Sequence, residues 1–129
     1  MATRMKEKAA KRLQNKDTRP MAQAKYIRMS PFKVRQVIDI VRGRGYSEAV
    51  AILANTPRAA APVVKKLIES AAANAEHNLN MVREDLFVAE IYADQGPTLK
   101  RIQPVSKGRA NRILKRTSHI KVILGAKQK

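Results

Sequence analysis

The feature that most constrains this chain is the stretch Asp94–Ser118, DQGPTLKRIQPVSKGRANRILKRTS. It lies between two strand-like segments. Leu86–Ala93 is rich in β-branched and aromatic residues, and His119–Leu124 alternates apolar and polar with period two. The 25 residues between carry Lys100, Arg101, Lys107, Arg109, Arg112, Lys115 and Arg116, with Asp94 as their only acid. A structureless connection of that length is uncommon inside a compact domain. If both strands continue through it as a ribbon, each arm has about twelve residues and spans roughly 40 Å. Such an arm projects beyond any core that a 129-residue chain builds. The expectation is a small body holding out a basic finger.

Charge supports a body with charged extensions. The net charge is +17, but residues 46–94 hold 4 bases against 7 acids. Residues 1–45 hold 13 bases against 3 acids, and residues 95–129 hold 10 bases and none. A tail of one sign repels itself unless a polyanion neutralises it, which points to nucleic acid. There is no cysteine, so disulfides, thiolate catalysis and Cys-based metal sites are excluded. No apolar run has transmembrane length, and the N-terminus lacks a signal-peptide core. The expectation is a cytoplasmic protein without membrane insertion.

Residues 1–21 have few large apolar side chains and are expected to be a basic tail, disordered unless RNA-bound. Residues 22–129 form one α+β domain. A short strand falls within Ala22–Met29. Ser30-Pro31 signals a helix start, and Val34, Val37, Ile38 and Val41 follow at helical spacing. Lys33, Arg35 and Arg42 lie off that stripe, free to face outward. A short second helix is expected from Ser47. A third is expected from the cap-plus-proline pair Thr56-Pro57 to about Leu79, its alanines letting neighbours approach closely. Three helices on a small three-stranded antiparallel sheet, with a long protruding β-hairpin at about 94–118, satisfy these signals. Because alternation only partly holds in Leu86–Ala93, that strand is expected to be covered on both sides.

No enzyme constellation is present. His77 and His119 stand alone, no glycine pattern cradles a phosphate, and neither metal nor cofactor is expected. Arg and Lys of the finger suit phosphates, and Arg also suits base edges and faces. No aromatic residue lies in the finger, which argues against a single-strand stacking platform there. Gly96-Pro97 marks a bend at its root. Pro104 interrupts pairing, Gly108 supplies a positive φ, and the tip lies between Pro104 and Ala110. On these grounds alone, an architectural DNA-binding protein with basic β-arms is the alternative to an RNA-binding one.

Six blocks carry a resemblance: Ser30–Arg35, Val41–Gly43, Ser70–Glu76, Gly96–Arg101, Lys107–Ala110 and Lys115–Ile120. In order and spacing they resemble the L-twenty-two family of bacterial large-subunit ribosomal proteins, over roughly Ala22 to Leu124. The resemblance implies a structural constituent of the large subunit, partnered by 23S ribosomal RNA, neighbouring ribosomal proteins and the nascent polypeptide. It implies a hairpin lining the peptide exit tunnel through Leu99, Lys100, Arg101, Val105, Ser106, Lys107, Gly108, Arg109 and Ala110. Contacts to ribosomal RNA would come from Arg28, Lys33, Arg35, Arg42, Lys100, Arg101, Lys107, Arg109, Arg112, Lys115 and Arg116. Phe32 and Val105 stand where the family usually has Arg.

Overall fold

A computed structural model describes residues 2–127. Four helices, α1 (Ala2–Gln14), α2 (Pro31–Val41), α3 (Tyr46–Asn55) and α4 (Ala60–Leu79), accompany five strands. The strands are β1 (Met21–Ile27), β2 (Leu86–Gln95), β3 (Leu99–Pro104), β4 (Ala110–Lys115) and β5 (Ser118–Ala126). They form a three-stranded antiparallel sheet in the order β1-β5-β2 and a separate antiparallel pair, β3-β4. The α+β class and the hairpin expected from the sequence are both present.

Helices α2 and α4 cover one face of the three-stranded sheet, and α3 packs on α4. The core joins Val34, Val37, Ile38 and Val41 of α2 to Val64, Ile68 and Ala71 of α4, and to Ile120, Val122 and Leu124 of β5. Each large side chain there contributes about 1.5–3 kcal/mol by leaving water. Ala61, Ala71, Ala72 and Ala75 of α4 have no exposed surface, so small side chains seat the helix against its neighbours. Asn80 adopts a left-handed conformation and ends α4, with its N–H donating to Glu76 O and that of Met81 to Ala75 O.

Several boundaries differ from expectation for physical reasons. Ser30 has the backbone of a helix cap, but its hydroxyl makes no capping hydrogen bond. Thr56-Pro57 does not start α4. The Thr56 hydroxyl donates to Ile52 O at 2.7 Å and closes α3, and α4 begins three residues after Pro57. Strand β2 is not covered on both sides. A register shift between Val88 and Glu90, opposite Leu124 and Ile123, changes its phase. Leu86 and Val88 before the shift, and Ile91 and Ala93 after it, therefore reach the same core.

The free edge of β2 is capped by its own chain. Val88 donates to Arg44 O and accepts from Gly43 N–H, and Gly45 bridges to Phe87. Farther along, the Arg42 guanidinium donates to Ile91 O at 2.9 Å. Arg35 donates to Ala93 O through Nε and Nη2, at 3.1 and 2.9 Å. On the opposite edge strand, Tyr26 has φ +57, and its N–H donates to His119 Nδ1 at 3.0 Å. An imidazole nitrogen thus stands in for the ladder carbonyl where the β1 register breaks between Ala24 and Ile27.

Helix α1 is fully exposed from Thr3 onward. Its helical propensity is satisfied, but it contributes nothing to the core.

Candidate nucleic-acid interface

The hairpin begins where β2 and β5 stop pairing, at Gln95 and Ser118. Gly96 N–H then donates to Thr117 O at 2.9 Å, and the Thr117 hydroxyl donates to Pro97 O at 2.5 Å. These two bonds hold the root where the sheet hydrogen bonding lapses. Beyond it, β3 and β4 pair in register from Leu99↔Lys115 to Pro104↔Ala110. The paired arms have six residues each, about half the expected length, and reach about 20 Å. The ribbon is shorter because Gly96–Thr98 and Arg116–Thr117 form the irregular root, and Pro104 closes the ladder at the other end.

The tip lies where the sequence places it. Val105 N–H donates to Arg109 O at 3.0 Å, closing a short 3-10 turn over Ser106–Gly108. Lys107 and Gly108 have φ +60 and +66. Gly108 adopts this conformation freely, whereas Lys107 does so at a cost of about 1–2 kcal/mol. The turn presents Ser106, Lys107 and Arg109 outward, all exposed.

Residues paired across an antiparallel ribbon share a face, and successive pairs alternate. One face carries Leu99, Lys115, Arg101, Ile113, Gln103 and Asn111; the other carries Lys100, Leu114, Ile102, Arg112, Pro104 and Ala110. Both faces therefore mix cations with apolar side chains, and neither is turned to a core. Ile102 is 70% exposed, and Leu99, Leu114 and Val105 are also exposed. A ribbon so composed suits surroundings on both sides that offer phosphates and apolar surface together.

A second basic feature lies at the hairpin's base. Residues before α2, the first turns of α2 and α4, and the end of β4 enclose a cleft of about 770 Å³. Arg28, Lys33, Arg58, Lys115 and Arg116 line it, together with Phe32 and Gln36, and no acid does. Arg58 Nη1 lies 3.4 Å from Gln36 Oε1. Of the residues expected at a site, Arg28, Lys33, Lys115 and Arg116 converge here. Lys100, Arg101 and Arg112 line the ribbon, and Lys107 and Arg109 sit at its tip. Arg35 and Arg42 are not free outward cations, because their guanidinium groups are bonded to β2 carbonyls. Arg58 was missed. The only available signal was a lone base between Pro57 and the alanine run in an otherwise acidic block.

Ion pairing sorts the cations by location. Arg19 pairs with Asp17 and Glu90, Arg42 with Asp39, Arg44 with Glu48, Lys65 with Glu69, and Arg83 with Glu76. Hydrogen bonds from Arg19 hold the Asp17 carboxyl down at about 2, so this pairing is lost only as pH falls towards that value. Hydrogen bonding to Glu76 raises the Arg83 guanidinium. Among the described residues, no ion pair includes a cation of the hairpin or the cleft. Their charge is left for an external anion. Among the same residues no three His, Asp or Glu side chains gather to hold a metal ion, and no helix is long and apolar enough to cross a membrane.

Residues 22–125 match the family described as Ribosomal protein L22p/L17e. Three bacterial relatives are each named Large ribosomal subunit protein uL22. That of Desulfitobacterium hafniense (strain Y51) is 55% identical over 105 residues, covering 81% of this chain and 92% of its own. That of Clostridium novyi (strain NT) is 57% identical over 101 residues, covering 78% and 91%. That of Clostridium kluyveri (strain NBRC 12016) is 58% identical over 101 residues, covering 78% and 91%.

Proposed function

This chain belongs to the ribosomal protein L22p/L17e family, and on that premise we propose that it grips large-subunit (23S) ribosomal RNA with its cleft and hairpin while the hairpin tip lines the nascent-peptide tunnel. It is a structural, non-enzymatic constituent of the large ribosomal subunit, and it works in the cytoplasm. The observation that carries the finer reading is the ribbon itself, cationic and apolar on both faces, with no face turned to a core. Lys100, Arg101, Arg112, Lys115 and Arg116 neutralise phosphates along its arms, while Val105 to Ala110 form the tunnel-facing tip. Leu99, Ile102 and Leu114 fill gaps between RNA helices. Arg28 and Lys33 extend the contact onto the body, where neighbouring ribosomal proteins pack. The role of Arg35 and Arg42 at the RNA is secondary to their hold on β2. The residues before Arg19 act as a basic arm that binds RNA; helix α1 buries nothing on the body, whereas Pro20 is buried and Met21 opens β1.

A photo-crosslinker at Lys107 tests the placement of the tip. In purified large subunits carrying a stalled nascent chain, it is expected to label that chain, whereas the same group at Lys66 on α4 does not. Labelling of RNA alone from Lys107 would move the tip out of the tunnel wall. Absence of the protein from high-salt-washed subunits would remove the whole reading.

A further inference from the structure

We propose that the cleft at the hairpin's base is a separate RNA subsite that seats one unpaired nucleotide, its base stacked on Phe32 and its flanking phosphates held by the surrounding cations. The proposal rests on the RNA-binding reading above and adds to it a recognition element on the body, outside the hairpin.

Phe32 carries the argument. It lies in the first turn of α2, the residue is 68% exposed, and it contributes nothing to the buried core. A large aromatic side chain on a water-facing helix surface needs an external partner to gain from its area. Its surroundings indicate which partner. Arg28, Lys33, Arg58, Lys115 and Arg116 share the cleft with it, drawn from three separate stretches of the chain. Among the described residues, none of these five is in an ion pair. Cations that repel one another are gathered in one cleft with an aromatic ring, and no carboxylate lines it to offset them. A nucleotide offers the matching chemistry, a π-face for the ring and phosphates for the cations.

Size and shape agree. A cleft of about 770 Å³ takes a ligand of drug size, hence one nucleotide with its adjoining phosphates. A base inside a regular duplex is stacked on its neighbours and cannot present its face to a protein ring, so the subsite selects a bulged or looped nucleotide. Gln36, also lining the cleft, adds an amide that suits the edge of the seated base.

The full-length protein tests this with two probes, an RNA duplex and the same duplex carrying a single bulged uridine. Aromatic–base stacking is worth about 1–3 kcal/mol, so the bulged RNA is expected to bind about tenfold more tightly. Phe32→Leu should bind both RNAs alike, and Phe32→Tyr should keep the preference. With 5-iodouridine at the bulge, irradiation should attach the RNA to the peptide containing Phe32. Salt-sensitive binding without preference for the bulge would overturn the subsite and leave the RNA-binding reading standing. So would a preference that survives in Phe32→Leu. Binding to neither RNA would overturn both.

Discussion

Gly96 holds the junction between body and hairpin to a single backbone path. A Cβ added there would lie 2.6 Å from the Thr117 hydroxyl oxygen and 3.2 Å from the His119 ring. Neither neighbour retreats freely. Thr117 is buried and bonded to Pro97 O, and His119 accepts from Tyr26 N–H. Gly96→Ala is therefore expected to destabilise the protein by about 1–3 kcal/mol, read as a lower urea midpoint at unchanged slope. A change under half a kcal/mol would show that the root adjusts. The sequence marks Gly96-Pro97 as a bend, but not the two side chains behind it, because Thr117 and His119 are brought there only by strand pairing twenty residues later. Arg35 and Arg42 illustrate the same limit. Their spacing correctly places them off the apolar stripe of α2. Whether a base off that stripe meets solvent or a carbonyl depends on the strand beside it, and helical periodicity carries no information about that strand.

At the scale of elements, local patterns succeeded where one segment decides the outcome. Helix α2 and the hairpin tip are legible from spacing and from Pro and Gly, and α4 from its apolar and alanine spacing, though Thr56-Pro57 misplaces its start. The bulge in β2 was not, since an extra residue makes a strand buried on one face read as one with broken alternation. Arm length was misjudged for a related reason. The sequence shows where charge begins and ends, but the lapse of pairing at the root arises from Gly96, Pro97 and Thr117 together. The hairpin contributes little to the stability of the body, since its residues are exposed apart from half-buried Ile113. Replacing residues 99–115 by a short flexible turn, with the root kept, is expected to shift the thermal midpoint by only a few degrees. A collapse of the unfolding transition would mean that the ribbon props up the sheet. Removing the ribbon should instead weaken retention in large subunits as salt rises, which sedimentation measures, because binding through the body remains.

For the molecule as a whole, what matters is where the charge remains unopposed. A net charge of +17 is only a composition, and it is concentrated because acids pair with cations at one set of places and leave those of the cleft and ribbon unpaired among the described residues. If about seven phosphates are neutralised by the hairpin, log affinity for ribosomal RNA falls against log salt with a slope near −6. The protein lacking residues 99–115 should then have a slope shallower by about that amount less the contribution of Arg116, while retaining binding through the body. A slope independent of the hairpin would place the RNA contact elsewhere. Function was legible at this scale because an acid-free tail and ordered motif blocks need no tertiary structure to be seen. The cleft was not legible, because its walls come from three distant stretches. One further consequence follows from the arginines on β2. An uncovered sheet edge is a template on which a second chain can add a strand. With Arg35 and Arg42 occupying the outward carbonyls of Ala93 and Ile91, an incoming strand meets two guanidinium groups where it needs acceptors. The same side chains that complete the fold thus deny a second chain a pairing template along this part of the edge.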